Sequence, residues 1–138
     1  MATRLSFDSF FTGLIAALVY RGRRAVSIRG DRFDRTIADV VAHLREQYGD
    51  EVDLRFRVRP HYVHGYSTTV RDAIASATQA DLISLDNPEY QDMRFKIDRD
   101  DAEDLLDRLP LGREAFLELA DEFLRAYDQS KARSGALA

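Results

Sequence analysis

The segment from Phe10 to Tyr20 constrains the fold most, because it reads as a helix with two apolar faces. One face carries large apolar side chains at helical spacing: Phe7, Phe10, Phe11, Leu14, Ile15 and Leu18. The other face is small: Ser9, Thr12, Gly13, Ala16 and Ala17. A helix with two apolar faces is covered on both sides. We therefore predict a buried helix over 6–21, capped by Ser6, whose cover is either the rest of the domain or a second subunit.

The same apolar segment imitates a signal peptide but departs from that pattern. Asp8 interrupts its start, and the segment ends in the basic run 21–24 without a small-x-small cleavage site. It also falls short of the ~20 residues that span a bilayer. The chain contains no cysteine, which excludes disulfides, thiolate nucleophiles and iron–sulfur clusters. We therefore expect a cytoplasmic protein with no membrane partner.

The rest of the chain alternates between helical and strand patterns. Strands are predicted over 25–29, 53–59, 82–85 and 93–97, and helices over 31–48, from 67 or 68 to about 77, from 98 or 100 to 109, and over 112–128. The order α-β-α-β-α-β-β-α-α predicts an α+β (mixed α/β) fold, with a mixed or antiparallel sheet of about four strands packed against about five helices. We expect one domain over 1–128 and a flexible tail over 129–138.

Charge is divided unevenly along the chain. Residues 1–79 hold 12 Arg and 9 Asp or Glu, a net of +3, whereas residues 80–138 hold 8 Lys or Arg and 15 Asp or Glu, a net of −7. The whole-chain charge of −4 does not favour coating of nucleic acid. The split instead suits contact between a basic and an acidic face, either within the chain or between chains.

An arginine stripe lies on the clearest strand pattern. Leu54, Phe56 and Val58 alternate with Arg55, Arg57 and Arg59, and His61 continues in phase with the arginines. Tyr62, His64 and Tyr66 follow, and aromatic rings beside arginines are typical of proteins that bind single-stranded nucleic acid. These residues are candidates for binding nucleic acid or another anionic partner. The alternative is a solvated sheet face whose arginines pair with carboxylates of the acidic half.

Signatures of chemistry are weak in this sequence. His61 or His64 with an acidic partner would be the residues of an unrecognised enzyme, but the histidine spacing matches no metal motif. The acidic run 98–104 fails the calcium-loop template at its fifth, sixth and twelfth positions, and helix-dipole stabilisation is enough to explain it. We predict no catalytic residue, no metal and no cofactor.

Three functions follow in order of preference. The first is a non-catalytic interaction module, a small accessory or regulatory subunit that binds a protein partner or itself to form an oligomer. Its candidate interface residues are Phe10, Phe11, Gly13, Ala17 and Tyr20. The second is nucleic-acid binding through the arginine stripe, and the third is the unrecognised enzyme.

Overall fold

The computed structural model describes residues 3–28, 32–54, 68–85 and 92–136. Five helices and two small sheets make up this part of the chain, so the predicted mixed α+β class is confirmed. The elements in chain order are β1 (Thr3–Leu5), α1 (Phe7–Tyr20), β2 (Ala25–Ser27), α2 (Arg32–Tyr48), β3 (Val52–Leu54), α3 (Thr68–Gln79), β4 (Ile83–Ser84), β5 (Asp92–Phe95), α4 (Arg99–Arg108) and α5 (Arg113–Ala136).

The strands form two sheets in the described ranges, where the sequence predicted one. β1 pairs with β3 in parallel, with Thr3 opposite Val52 and Leu5 opposite Leu54. β2, β5 and β4 form an antiparallel sheet in that order, so the strands predicted over 82–85 and 93–97 are antiparallel neighbours. β1 was not predicted, because three residues are too few to show the alternation that marks a strand.

Helix α1 is covered by the chain itself. Helices α3, α4 and α5 pack against it. A Cβ built on Gly13 would lie 2.3 Å from Cε1 of Phe116, so the Phe116 ring occupies the space that glycine leaves open. Of the two covers that the sequence allowed, this fold therefore uses the rest of the chain.

Both ends of α1 agree with the prediction. The Ser6 hydroxyl accepts a hydrogen bond from the Ser9 amide at 3.1 Å, which caps the first turn. Gly22 has φ +91°, and the Gly22 and Arg23 amides donate to the Val19 and Leu18 carbonyls, each at 2.9 Å. This pair of bonds is the Schellman motif, which favours glycine at the left-handed position.

Helix α4 begins where the sequence predicted, whereas helix α5 ends later than predicted. Asp98 caps α4 with a complete capping box, in which its carboxylate accepts from the Asp101 amide at 2.8 Å. Helix α5 continues to Ala136, beyond the predicted end at 128 and into the predicted tail. The apolar stripe ends near Tyr127, and the segment 129–136 after it combines two alanines, a lysine and an arginine, which favour helix, with two serines and a glycine, which do not.

Candidate binding groove

A surface cavity of about 470 Å³ lies where the C-terminus of α1, the start of β2, the end of β5 and the start of α4 meet. We call it the arginine-rimmed groove. Its lining consists of Val19, Tyr20, Gly22, Arg23, Arg24, Phe95, Ile97, Asp98 and Arg99. The volume lies within the range of about 300–1,000 Å³ that is usual for ligand pockets.

Two local features of the chain build this groove. The Schellman turn at Gly22 reverses the backbone after α1, which brings Arg23 and Arg24 into the lining. The Phe95 amide then donates to the Arg24 carbonyl at 2.9 Å, which ties the segment after α1 to the end of β5. Because Asp98 starts α4 three residues later, Arg99 also reaches the groove.

The groove has an apolar floor that remains accessible. Val19, Tyr20, Phe95 and Ile97 are half-buried and pack against the core from its edge. The Arg99 guanidinium lies 4.4 Å from the centroid of the Tyr20 ring, within the range of a cation–π contact. The floor therefore combines aliphatic surface with an aromatic ring held by a cation.

The charged lining is predominantly cationic. It holds three arginines and one aspartate, and the Asp98 carboxylate is engaged in the capping box. The guanidinium of Arg23 lies 3.5 Å from the carboxylate of Asp128 on α5, and both side chains are exposed. In the described part of the chain, Arg24 and Arg99 make no ion pair with a carboxylate. These two guanidinium groups are therefore available to an anionic ligand.

Arg113, by contrast, is neutralised beside the groove. Its guanidinium lies 5.7 Å from the Tyr20 centroid but contacts Asp107 at 2.9 Å and Glu103 at 3.0 Å. The hydrogen bonds to Asp107 raise the pKa of Arg113 above its usual value. Its charge is therefore already matched, whereas the charges of Arg24 and Arg99 are not.

The predicted interface residues separate into two groups. Phe10, Phe11, Gly13 and Ala17 are buried in the core of the chain, and of these Phe11 alone is recorded in the lining of a surface cavity. Tyr20 is half-exposed and lies in the arginine-rimmed groove. Of the five predicted interface residues, Tyr20 is therefore the one that lies on a surface that a partner could contact.

The predicted anion-binding residues lie outside the described ranges. This applies to the arginine stripe (Arg55, Arg57, Arg59) and to His61, Tyr62, His64 and Tyr66. The nucleic-acid and enzyme hypotheses that depend on them stay predictions from sequence.

The remaining histidine, His43, belongs to a polar cluster between α2 and α5. Its Nε2 lies 3.5 Å from one Glu118 carboxylate oxygen, and the Tyr48 hydroxyl donates to the other at 2.6 Å. The hydrogen bond to Glu118, together with burial, raises the pKa of Tyr48 to about 12. The contacts of this cluster join α2 to α5.

Sequence reasoning missed most of the groove. Arg23, Arg24 and Arg99 were not candidates, and neither were Phe95 and Ile97. The one available signal was the run of arginines around Gly22, directly after an aromatic residue at a helix end. Nothing in the spacing connects that run with the segment 95–99.

No family model, curated protein or solved structure matches this chain. In the described ranges, no set of three or more His, Asp or Glu side chains is arranged to hold a metal ion. No helix there is both long enough and apolar enough to cross a membrane. The groove is therefore interpreted from its own chemistry.

Proposed function

We propose that this chain is a non-catalytic interaction module, a small accessory or regulatory subunit that binds a segment of a protein partner in the arginine-rimmed groove. The single observation that supports the proposal is an accessible apolar floor beside Arg24 and Arg99, whose charges have no carboxylate partner within the described residues. A site of this kind offers apolar contact and directional charge recognition together.

The residue types of the groove support a binding role. Tyrosine and arginine are enriched among residues that dominate the affinity of protein interfaces. Tyr20 and Arg99 are already stacked in the free chain. Because their arrangement exists before a ligand arrives, binding loses less side-chain entropy than it would with two mobile side chains.

The burial of α1 supports the groove over the helix faces as the contact surface. The face of large side chains and the face of small side chains of α1 both pack within the chain. A partner that used them would have to displace α4 or α5. The last turn is accessible without any such rearrangement.

The ion pairs around the groove are weak enough to exchange. The Arg21 and Asp121 side chains of one pair are 39% and 56% exposed, and those of the Arg23–Asp128 pair are 37% and 57% exposed. Exposed pairs of this kind contribute about 0–1 kcal/mol. A carboxylate of a partner could therefore replace Asp128 beside Arg23 at little cost.

Site-specific photo-crosslinking in cells tests the proposal. A photoreactive amino acid is placed at Ala25, an exposed position next to Arg24, and in a second variant at Ala42, an exposed position on α2 outside the groove lining. We expect a discrete crosslinked protein from the Ala25 position and none from the Ala42 position. A crosslink to a second copy of this chain would instead assign the groove to self-association.

A matched pair of double variants shows whether the crosslink depends on the groove. R24A/R99A removes two rim charges, whereas R4A/R108A removes two charges from exposed positions outside the lining. The crosslink should disappear with the first pair and persist with the second. Equal crosslinking in both would contradict the proposed site.

A further inference from the structure

We infer that the occupant of the groove is an acidic, amphipathic peptide segment, in which carboxylates flank an aromatic or aliphatic side chain. The inference rests on the proposed function and specifies its partner. It is drawn from the rim, the floor and the charge of the surrounding surface.

The rim selects carboxylates. Guanidinium groups bind carboxylates through two parallel hydrogen bonds, which gives directional recognition. Arg24 and Arg99 belong to two separate segments of the lining, one following α1 and the other starting α4. Two carboxylates of one short segment could therefore be held at two separate points.

The floor selects an apolar side chain between those carboxylates. Val19, Phe95 and Ile97 present half-buried apolar surface that a ligand side chain would cover. Burial of apolar surface is favourable and non-directional, so it adds affinity without fixing the sequence of the segment. A purely charged ligand would leave this surface exposed to water.

The rest of the chain restricts where an acidic segment can bind. Residues 80–138 carry a net charge of −7, and this half contributes α4 and α5. The acidic helices repel an acidic peptide everywhere except near unmatched arginines. The charge split thus concentrates the ligand at the groove.

A peptide fits the groove better than a nucleic-acid strand does. Single-strand binding proteins stack bases on accessible aromatic faces. One face of Tyr20 already carries the Arg99 guanidinium. A carboxylate can pair with that guanidinium in place, whereas a base would have to displace it from the ring.

Fluorescence anisotropy with a labelled synthetic peptide tests this inference. The peptide alternates glutamates with phenylalanine and leucine, and a matched control replaces every glutamate with glutamine. We expect the acidic peptide to bind with a Kd about tenfold lower than the control. Its affinity should fall as salt rises, because the recognition is ionic.

The arginine variants locate the binding. R24A/R99A should raise the Kd of the acidic peptide about tenfold, and R4A/R108A should leave it nearly unchanged. R24K/R99K keeps the charges but loses the guanidinium fork, so we expect an intermediate Kd. Circular dichroism of each variant shows that a loss of binding is not a loss of folding.

Other outcomes would overturn the inference in distinguishable ways. Equal binding of the acidic and glutamine peptides would mean that carboxylates are not recognised. Tighter binding of a single-stranded oligonucleotide, lost in R24A/R99A, would make the groove a nucleic-acid site. Binding of neither peptide, with a crosslink still formed from Ala25, would reject the acidic segment and leave the proposed function standing.

Discussion

The two ends of α1 meet opposite surroundings. From Phe7 to Leu18 the helix is largely enclosed by α3, α4 and α5: Phe10, Ala16 and Ala17 have no exposed surface, and Asp8 is the exposed residue of this part. Its last turn, Val19 and Tyr20, is half-exposed and leads into three arginines. One helix thus supplies both the core and the floor of the groove. Packing of its apolar side chains fixes the first part for stability, whereas the second part presents a half-exposed ring beside unmatched arginines.

The largest loss of stability is expected from truncating Phe116 of α5, which packs on the enclosed part of α1. Phe116→Ala removes a fully buried ring that packs on Gly13, and we expect the free energy of unfolding to fall by about 3–5 kcal/mol. Gly13→Ala in the native background should cost about 1–3 kcal/mol through overpacking. Urea unfolding of the single and double variants measures both. In the Phe116→Ala background, Gly13→Ala should be neutral or stabilising, because the clash is gone and alanine favours helix.

The next largest loss of stability is expected where a buried charge, rather than a buried apolar side chain, loses its partner. Asp34 on α2 is fully buried and 2.5 Å from the Arg71 guanidinium on α3, which is 31% exposed. Arg71→Ala removes a charged partner of a buried carboxylate, so we expect a loss of about 2–4 kcal/mol. Arg108→Ala, at an exposed position, is the control and should change stability by less than about 0.5 kcal/mol. Similar unfolding midpoints for the two variants would contradict this reading.

The turn between the two ends gives an intermediate effect. Gly22→Ala places a side chain at φ +91°, a conformation that costs an L-residue about 1–2 kcal/mol. There is open space around this Cβ, so the cost is backbone strain alone. Thermal unfolding should show that loss. Because the turn positions Arg23 and Arg24, the variant should also weaken binding of the acidic peptide, and unchanged affinity would argue against that role.

A half-exposed tyrosine far from the rim sharpens the comparison further. Tyr48→Phe removes a hydrogen bond to Glu118 and should cost about 1 kcal/mol near neutral pH. The pKa of Tyr48 is raised from 10.0 to about 12 in the folded chain. The stabilisation that the protonated Tyr48 hydroxyl gives the folded chain is therefore complete below pH 10 and is lost as pH rises towards 12. The difference in unfolding free energy between native protein and variant should shrink over that interval, and a constant difference would contradict the assignment.

The smallest effect on stability is expected at the rim itself. Arg24 and Arg99 are exposed and have no ion-pair partner in the described residues, so R24A/R99A should lower the unfolding free energy by less than about 1 kcal/mol, mainly through the lost cation–π contact with Tyr20. The same variant should raise the Kd of the acidic peptide about tenfold. A large loss of stability would mean that the rim serves the fold rather than a ligand.

The difference between the two ends of α1 also explains what the sequence could predict. The enclosed part follows from side chains at helical spacing, and its caps follow from Ser6 and Gly22, so local pattern was sufficient. The choice between covering by the same chain and covering by another depended on contacts with α4 and α5, which no local pattern encodes. The groove could not be predicted for the same reason, because it joins residues 19–24 to residues 95–99.

The pairing of the strands could not be predicted from the sequence for a related reason. The alternation at 53–59 predicted a strand, and β3 is described over Val52–Leu54. Its partner β1 is three residues long and parallel, a pairing that depends on tertiary contacts. Capping residues were easier to predict, since a capping box is complete within four residues.

The central claim is that the exposed end of α1 is where a ligand binds. The most direct test is an NMR titration of ¹⁵N-labelled protein with the acidic peptide, following every assigned amide. The account predicts that the largest shift changes fall in residues 19–24 and 95–99, and that the amides of the enclosed part of α1 stay nearly unchanged. Changes centred elsewhere, or no changes at millimolar peptide, would contradict it.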